Sequence, residues 1–166
     1  MRHLFIAGVP TSGKTCFGNW LVVHKSYLHL DAELPGGVDF DRARIHAEWD
    51  EVVATGRAED FVARLNKLSQ PVVISWGFRV CYLYIVAALK RAGIEAWWFQ
   101  APYAVARATF LARGGIHIQN FEVQMADIQR EWLLLESVFQ PRIIETLSST
   151  GRLTCEQIWE HLGSAV

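Results

Sequence analysis

Residues 8–15 read GVPTSGKT, which matches the phosphate-loop pattern G-x-x-x-x-G-K-[ST] at every fixed position. A short apolar run, HLFIA, precedes the match, and a helix-like segment, CFGNWLVVHK, follows it. In that context the glycines let successive backbone N–H groups turn inward, and the helix directs its positive end toward the same point. The stretch therefore predicts a nucleoside triphosphate site between a strand and a helix.

Each position of the loop has an expected task at that site. Lys14 is expected to reach the β- and γ-phosphates, and the Thr15 hydroxyl is expected to ligate Mg²⁺. The predicted ligands are therefore ATP and Mg²⁺. The residues expected to contact the nucleotide are Gly8, Pro10, Thr11, Ser12, Gly13, Lys14, Thr15 and Cys16.

Bulk composition limits the classes of protein that the chain can belong to. Its 166 residues are 51% hydrophobic and 20% charged, which is typical of one globular domain and not of a disordered chain. The net charge of -1 provides no general attraction to nucleic acid or acidic lipid. Apolar stretches are broken well short of a membrane span, and the three cysteines form no CxxC pair. We expect a reduced, cytoplasmic monomer or homodimer that binds neither nucleic acid nor membrane.

Short apolar runs alternate with longer segments of helical periodicity along the chain. Strands are predicted over 4–7, 27–30, 72–75, 96–100 and 142–145. This alternation is typical of a parallel sheet covered on both faces. We therefore predict one α/β domain over residues 1–166, with a three-layer fold of the P-loop nucleoside triphosphate hydrolase type and a five-stranded, mostly parallel sheet.

The later helices show clear start and stop signals. Helices are predicted over 79–92 and over 102–112, the second with proline in its first turn. Apolar residues spaced by four and three predict a long amphipathic helix over 121–139, which Pro141 stops. A last helix is predicted to begin with a capping box at Thr154 and Gln157 and to end at Gly163.

Two classes of phosphate-loop protein fit the sequence poorly. GTP-binding switch proteins read guanine with Asn-Lys-x-Asp, but the Asn-Lys at 66–67 is followed by Leu-Ser inside a predicted helix. Motor and ring ATPases end the third strand with an acid that holds Mg²⁺ and orients water, whereas this strand ends in Ser75-Trp76. Transfer of the phosphoryl group to an acceptor other than water is the reaction that remains.

With these motifs the chain resembles the small phosphate-loop kinases, which include shikimate, gluconate and adenylylsulphate kinases, antibiotic phosphotransferases and zeta-toxin kinases. Besides the loop, three segments carry the resemblance: YLHLDAE, VVISWGF and WWFQAPYAVARATFLARG. They are similar to the family's second strand with its acidic end, its third strand with a glycine-containing substrate loop, and its strand and arginine-bearing helix leading into a lid. The resemblance implies an ATP-dependent phosphotransferase that moves the γ-phosphoryl group to a small-molecule acceptor.

The resemblance also assigns roles on the acceptor side. Asp31 would replace the missing strand-three carboxylate, receive or orient the acceptor hydroxyl, and contact Mg²⁺ through water. Glu33 is a second candidate for the acceptor. The residues expected to line the acceptor pocket are Trp76, Gly77, Phe78 and Arg79, and Arg42 and Arg44 could also face an anionic acceptor.

On the nucleotide side the resemblance implies a short lid at about 107–120. Arg113 would contact the phosphates, while Arg107 would stack on the adenine or reach a phosphate. Ser148, Ser149 and Arg152 would surround the adenine. The alternative that stays open is a nucleotide-binding regulatory ATPase without a small-molecule acceptor, since the lid has only two arginines and the third strand lacks an acid.

Overall fold

Five parallel strands form the central sheet in the computed structural model, which describes residues 1–33, 38–77 and 79–164. Their order across the sheet is β2-β3-β1-β4-β5. The strands are β1 (Leu4–Gly8), β2 (Leu28–Asp31), β3 (Val72–Trp76), β4 (Glu95–Gln100) and β5 (Ile143–Glu145). The predicted α/β fold and all five predicted strands are confirmed, with strand ends that differ by one residue at most.

Helices cover both faces of this sheet. The helices are α1 (Lys14–Lys25), α2 (Val38–Arg42), α3 (His46–Thr55), α4 (Glu59–Leu65), α5 (Leu83–Arg91), α6 (Tyr103–Ala112), α7 (Ile118–Arg130), α8 (Trp132–Phe139) and α9 (Cys155–Ser164). A 3₁₀ turn, Val80–Tyr82, precedes α5, and a small antiparallel hairpin of β6 (Leu147–Ser148) and β7 (Gly151–Arg152) follows β5. Within the described ranges, no helix is both long enough and apolar enough to cross a bilayer.

Three helix predictions need correction. The helix predicted over 79–92 begins as the 3₁₀ turn, so that α5 starts only at Leu83. The long helix predicted over 121–139 is two helices, because Glu131 has φ -100° and ψ 20° and interrupts the helical backbone. A single irregular residue barely changes the spacing of the apolar positions, so periodicity could not reveal the break. Gly163 lies inside α9, which continues to Ser164.

Alternating side chains of the strands build one apolar core on each side of the sheet. Phe5 and Ala7 of β1 join the larger core, which lies against α3, α4, α5, α7 and α8. Leu4 and Ile6 join the smaller core, against α1 and α9. Since both faces are covered, every strand end at the carboxyl edge emerges into the same groove, where ligands bind in parallel α/β sheets.

Candidate active site

The phosphate loop connects β1 to α1 at the carboxyl edge of the sheet. Thr11 and Gly13 hold the left-handed backbone conformation, with φ 67° and 97°. Among the described residues, the backbone N–H groups of Gly13, Lys14, Thr15 and Cys16 have no protein acceptor. These donors lie at the positive end of α1, so the loop fits a phosphate group.

The carbonyl groups of the loop are held by distant parts of the chain. An Arg152 guanidinium nitrogen donates to the Thr11 carbonyl at 2.8 Å, and the Thr146 hydroxyl donates to the Ser12 carbonyl at 2.8 Å. The Thr11 hydroxyl in turn donates to the Ala106 carbonyl at 3.3 Å. These bonds engage the Thr11 and Ser12 carbonyls of the loop, while among the described residues the N–H groups of Gly13 to Cys16 stay without a protein acceptor.

Lys14 lies at the centre of the site and is 7% exposed. Its amine donates to the carbonyls of Gly8 and Val9, at 3.4 and 3.3 Å, and lies 3.8 Å from a carboxylate oxygen of Glu33. Burial lowers the pKa of Lys14 from its ordinary value, while the carboxylates of Glu33 and Asp31 oppose that shift. The amine is therefore held in a fixed position with an incomplete set of partners, as a phosphate-binding lysine requires.

Asp31 lies beside the first turn of α1, although its strand is separated from β1 by β3. The Thr15 hydroxyl donates to one Asp31 carboxylate oxygen at 3.1 Å, and the Glu33 N–H donates to the other at 3.0 Å. In the parallel register Asp31 is paired with Ser75, so it stands next to the strand end that lacks an acid. A hydroxyl and a carboxylate in contact are oxygen ligands of the kind that Mg²⁺ takes, so the pair fits the ion.

The Glu33 carboxylate lies against the backbone of Gly77. A Cβ placed on Gly77 would be 2.3 Å from a Glu33 carboxylate oxygen and 3.6 Å from the Lys14 amine. The Gln124 side-chain amide donates to the Gly77 carbonyl at 3.4 Å. Gly77, which was predicted to line the acceptor pocket, thus leaves room for the Glu33 carboxylate beside Lys14.

Two cavities meet at these residues. The loop-side cavity, of about 360 Å³, is lined by Thr11, Gly13, Lys14, Thr15, Cys16, Glu33, Arg113 and Arg152. The lid-side cavity, of about 400 Å³, is lined by Pro10, Thr11, Lys14, Glu33, Gly77, Phe110, Arg113, Gly114, Gly115, Ile116 and Gln124. Thr11, Lys14, Glu33 and Arg113 line both cavities. A group bound in one cavity would therefore lie next to a group bound in the other.

Comparison with known proteins gives a likeness in structure only. No protein-family model matches the chain. No curated protein matches it in sequence.

Among solved structures, a shikimate kinase from Acinetobacter baumannii, in complex with shikimate, is 18% identical with a TM-score of 0.64, over 99% of this chain and 94% of that one. A sugar kinase from Janibacter sp. is 18% identical with a TM-score of 0.56, over 99% and 93%. A gluconokinase from Sinorhizobium meliloti is 15% identical with a TM-score of 0.53, over 98% and 90%. The fold is that of the small phosphate-loop kinases. The resemblance predicted from the motifs is confirmed at the level of the fold.

Within this kinase fold, most of the predicted nucleotide contacts line the two cavities. Two residues of the loop do not: Ser12 is fully buried, and Gly8 lies against β4, where a Cβ on Gly8 would be 2.2 Å from the Phe99 carbonyl oxygen. Arg113 ends α6 and faces both cavities, next to Gly114 with φ 85°. Arg107 lines neither cavity and instead donates to the Glu122 carboxylate at 2.8 Å.

Fewer of the residues predicted to bind the acceptor than of those predicted to bind the nucleotide lie at the two cavities. Trp76 stacks on Tyr82 with ring centroids 5.4 Å apart, and its ring lies 5.5 Å from that of Trp49, so its side chain packs in the core. Arg79 lines a separate cavity with Asp127 and Arg130. Phe78 lies outside the described residues.

Three other positions that were predicted to face ligands lie elsewhere. Arg42 is an exposed partner of Asp39 at 3.6 Å, and Arg44 is exposed. The Ser148 hydroxyl hydrogen-bonds with that of Thr150 inside the β6–β7 hairpin. None of these residues lines either cavity.

Several residues of the site were not found from the sequence. Thr146 follows β5 directly, and a polar residue at that edge is a signal that could have been used. Arg152 was assigned to the adenine region, whereas its side chain lies on the phosphate loop. Gln124 gives no local signal, because only the packing of α6 against α7 places it at the lid-side cavity.

Proposed function

We propose that the protein is a phosphotransferase that uses ATP and Mg²⁺ to move the γ-phosphoryl group to a hydroxyl of a small molecule. The observation that carries the proposal is the pair of adjoining cavities that share Lys14, Glu33 and Arg113. An enzyme that only hydrolyses ATP needs room for water, whereas a transferase needs a second cavity beside the phosphates. We further propose that residues 1–166 act as one catalytic domain with a lid at about 107–120.

The nucleotide is proposed to bind at the loop-side cavity. The four free N–H groups at the start of α1 would hold its phosphates, and Lys14 would add a positive charge at the junction with the lid-side cavity. Thr15 and Asp31 would hold Mg²⁺, which when bound supplies charge neutralisation on the phosphates. Arg113 would stabilise the negative charge that spreads over the transferred group.

The acceptor is proposed to bind at the lid-side cavity, with its hydroxyl next to Glu33. Both carboxylate oxygens of Asp31 already accept hydrogen bonds, and Asp31 is only 8% exposed. Glu33 is the acid that lines the cavities. We therefore propose that Asp31 serves the metal and that Glu33, the second candidate from sequence, orients the acceptor hydroxyl and receives its proton.

Arg107 would reach the nucleotide only by leaving Glu122. Its proposed contact with the adenine or a phosphate thus depends on a rearrangement of the lid. Such closure on substrate binding is common in phosphoryl-transfer enzymes, since it excludes water from the site.

The test compares ADP release from MgATP with and without a panel of hydroxyl compounds, together with calorimetry of MgATP binding. We expect ADP release to depend on an acceptor, and Lys14→Ala to abolish both release and binding heat. The matched control is Lys67→Ala, which removes an exposed lysine outside both cavities and should behave as the parent. Acceptor-independent ADP release would favour the regulatory ATPase, and absence of binding heat would exclude the nucleotide site itself.

A further inference from the structure

The lid-side cavity has few charged groups in its wall. Among its described lining residues, only Lys14, Glu33 and Arg113 carry a charge. The rest of the wall is neutral and includes the Gln124 amide and the apolar side chains of Phe110 and Ile116. Any electrostatic selection of an acceptor therefore depends on these three groups.

Both cations of the cavity also face the loop-side cavity. The proposed phosphates lie there, and a triphosphate would take the Lys14 amine and the Arg113 guanidinium as its partners. With the nucleotide in place, the charged group left to meet the acceptor is the Glu33 carboxylate. That carboxylate repels an anion and attracts a cation.

The other cations of the chain do not change this balance. Arg79 faces another cavity, Arg107 pairs with Glu122, and Arg152 donates to the phosphate loop. None of the other arginines or lysines lines the lid-side cavity. The residues outside the described ranges carry no cationic side chain; they are Leu34, Pro35, Gly36, Gly37, Phe78, Ala165 and Val166.

We infer that the acceptor is a neutral or positively charged hydroxyl compound that carries no carboxylate or phosphate of its own, an inference that rests on the proposed function. Recognition would come from hydrogen bonds to Gln124 and Glu33 and from contact with the apolar wall at Phe110 and Ile116. An acidic acceptor would bury its anion beside Glu33 without a free cation, which is unfavourable.

The test uses acceptor pairs that differ in one anionic group: D-glucitol and D-gluconate, thymidine and thymidine 5′-monophosphate, and methyl shikimate and shikimate. Two quantities are measured for each compound: kcat/KM for phosphoryl transfer from MgATP, and the shift in melting temperature in the presence of MgADP. For any pair that the enzyme phosphorylates, we expect kcat/KM to be about tenfold or more higher for the neutral member. It should also produce the larger shift in melting temperature.

A charge introduced into the cavity sharpens the test. Gln124→Arg adds a cation to the cavity wall and should reduce or reverse the preference for the neutral member. Gln129→Arg makes the same change on the same helix but at an exposed position outside the cavity, and it should leave the preference unchanged.

Equal or better use of the acidic member by the parent protein would overturn the inference and leave the proposed function intact. If no compound accepted phosphate or shifted the melting temperature, the lid-side cavity would not be the acceptor site, and the inference would also be overturned. Calorimetry of MgATP binding then decides separately whether the nucleotide site stands.

Discussion

The phosphate loop and the predicted lid face the same two cavities, but different kinds of contact hold them. The loop is fixed by hydrogen bonds to its carbonyls from Arg152 and Thr146 and by the close approach of Gly8 to β4. The lid is joined to α7 by the exposed pair of Arg107 and Glu122 and by the Phe110 ring, which packs on the buried Phe121 with centroids 4.9 Å apart. The phosphate loop is therefore held by hydrogen bonds from distant parts of the chain, whereas the lid is held by one neighbouring helix, through ring packing and a surface ion pair.

Removal of the arginine at the end of α6 should produce the largest effect. Arg113→Ala should lower kcat about 10³-fold, because the guanidinium would no longer stabilise the charge on the transferred group. Its melting temperature should equal that of the parent, since Arg113 is exposed. Steady-state kinetics and thermal unfolding measure the two quantities. A kcat within threefold of the parent would show that the lid does not take part in the chemistry.

Gly8→Ala should disturb the phosphate loop, the more firmly held of the two regions. The added methyl group would meet the Phe99 carbonyl oxygen at 2.2 Å, and neither backbone can move without disturbing the β1–β4 pairing. We expect the free energy of unfolding to fall by about 3 kcal/mol or more. Urea denaturation provides the measurement. Gly163→Ala is the control, because its Cβ meets nothing within 4 Å and helix propensity should raise stability by about 0.5–1 kcal/mol.

A pH titration examines the lysine that lies between the two regions. Burial lowers the pKa of Lys14 below its ordinary value of 10.5, so the free protein loses this charge at a lower pH than an exposed lysine would. The affinity for MgATP should therefore fall as the pH rises through the lowered pKa. Between the lowered pKa and pH 10.5, Lys14 is protonated in the unfolded chain but not in the folded protein. The free energy of unfolding should therefore rise with pH in this range.

Calorimetry at a series of pH values measures the loss of affinity, which we expect to be about tenfold or more per lost charge. Lys14→Arg keeps its charge throughout and should show no fall in affinity in this interval. An equally steep fall in that variant would assign the titration to another group.

The smallest effect is expected at the surface pair that restrains the lid. Glu122→Gln removes the carboxylate that holds Arg107 and also accepts a hydrogen bond from Tyr103. If Arg107 then turns toward the nucleotide, KM for MgATP should decrease about two- to fivefold. Kinetics in the double variant Glu122→Gln with Arg107→Ala provide the control. The decrease should disappear there, and its persistence would exclude Arg107 as the cause.

How much could be predicted from sequence depends on whether a feature is formed by consecutive residues or by distant segments. The strands and the loop have local signals, since apolar runs and a fixed motif are written in consecutive residues. Trp76 was expected at a pocket wall, but an aromatic residue after a strand fits a core equally well, and here it packs on Tyr82. Contacts of Thr146 with Ser12 and of Gln124 with Gly77 join distant segments, so no local pattern contains them.

The hydrogen bonds from Thr146 and Arg152 to the loop have a consequence for biosynthesis. They span 134 and 141 residues of sequence, so the loop acquires them only after Thr146 and Arg152 have been synthesised. A ribosome-bound nascent chain would present the complete GVPTSGKT motif without these two restraints. Secure nucleotide capture would then wait for the synthesis of residues 146–152, and a truncation before Thr146 would weaken it without altering a single residue of the motif.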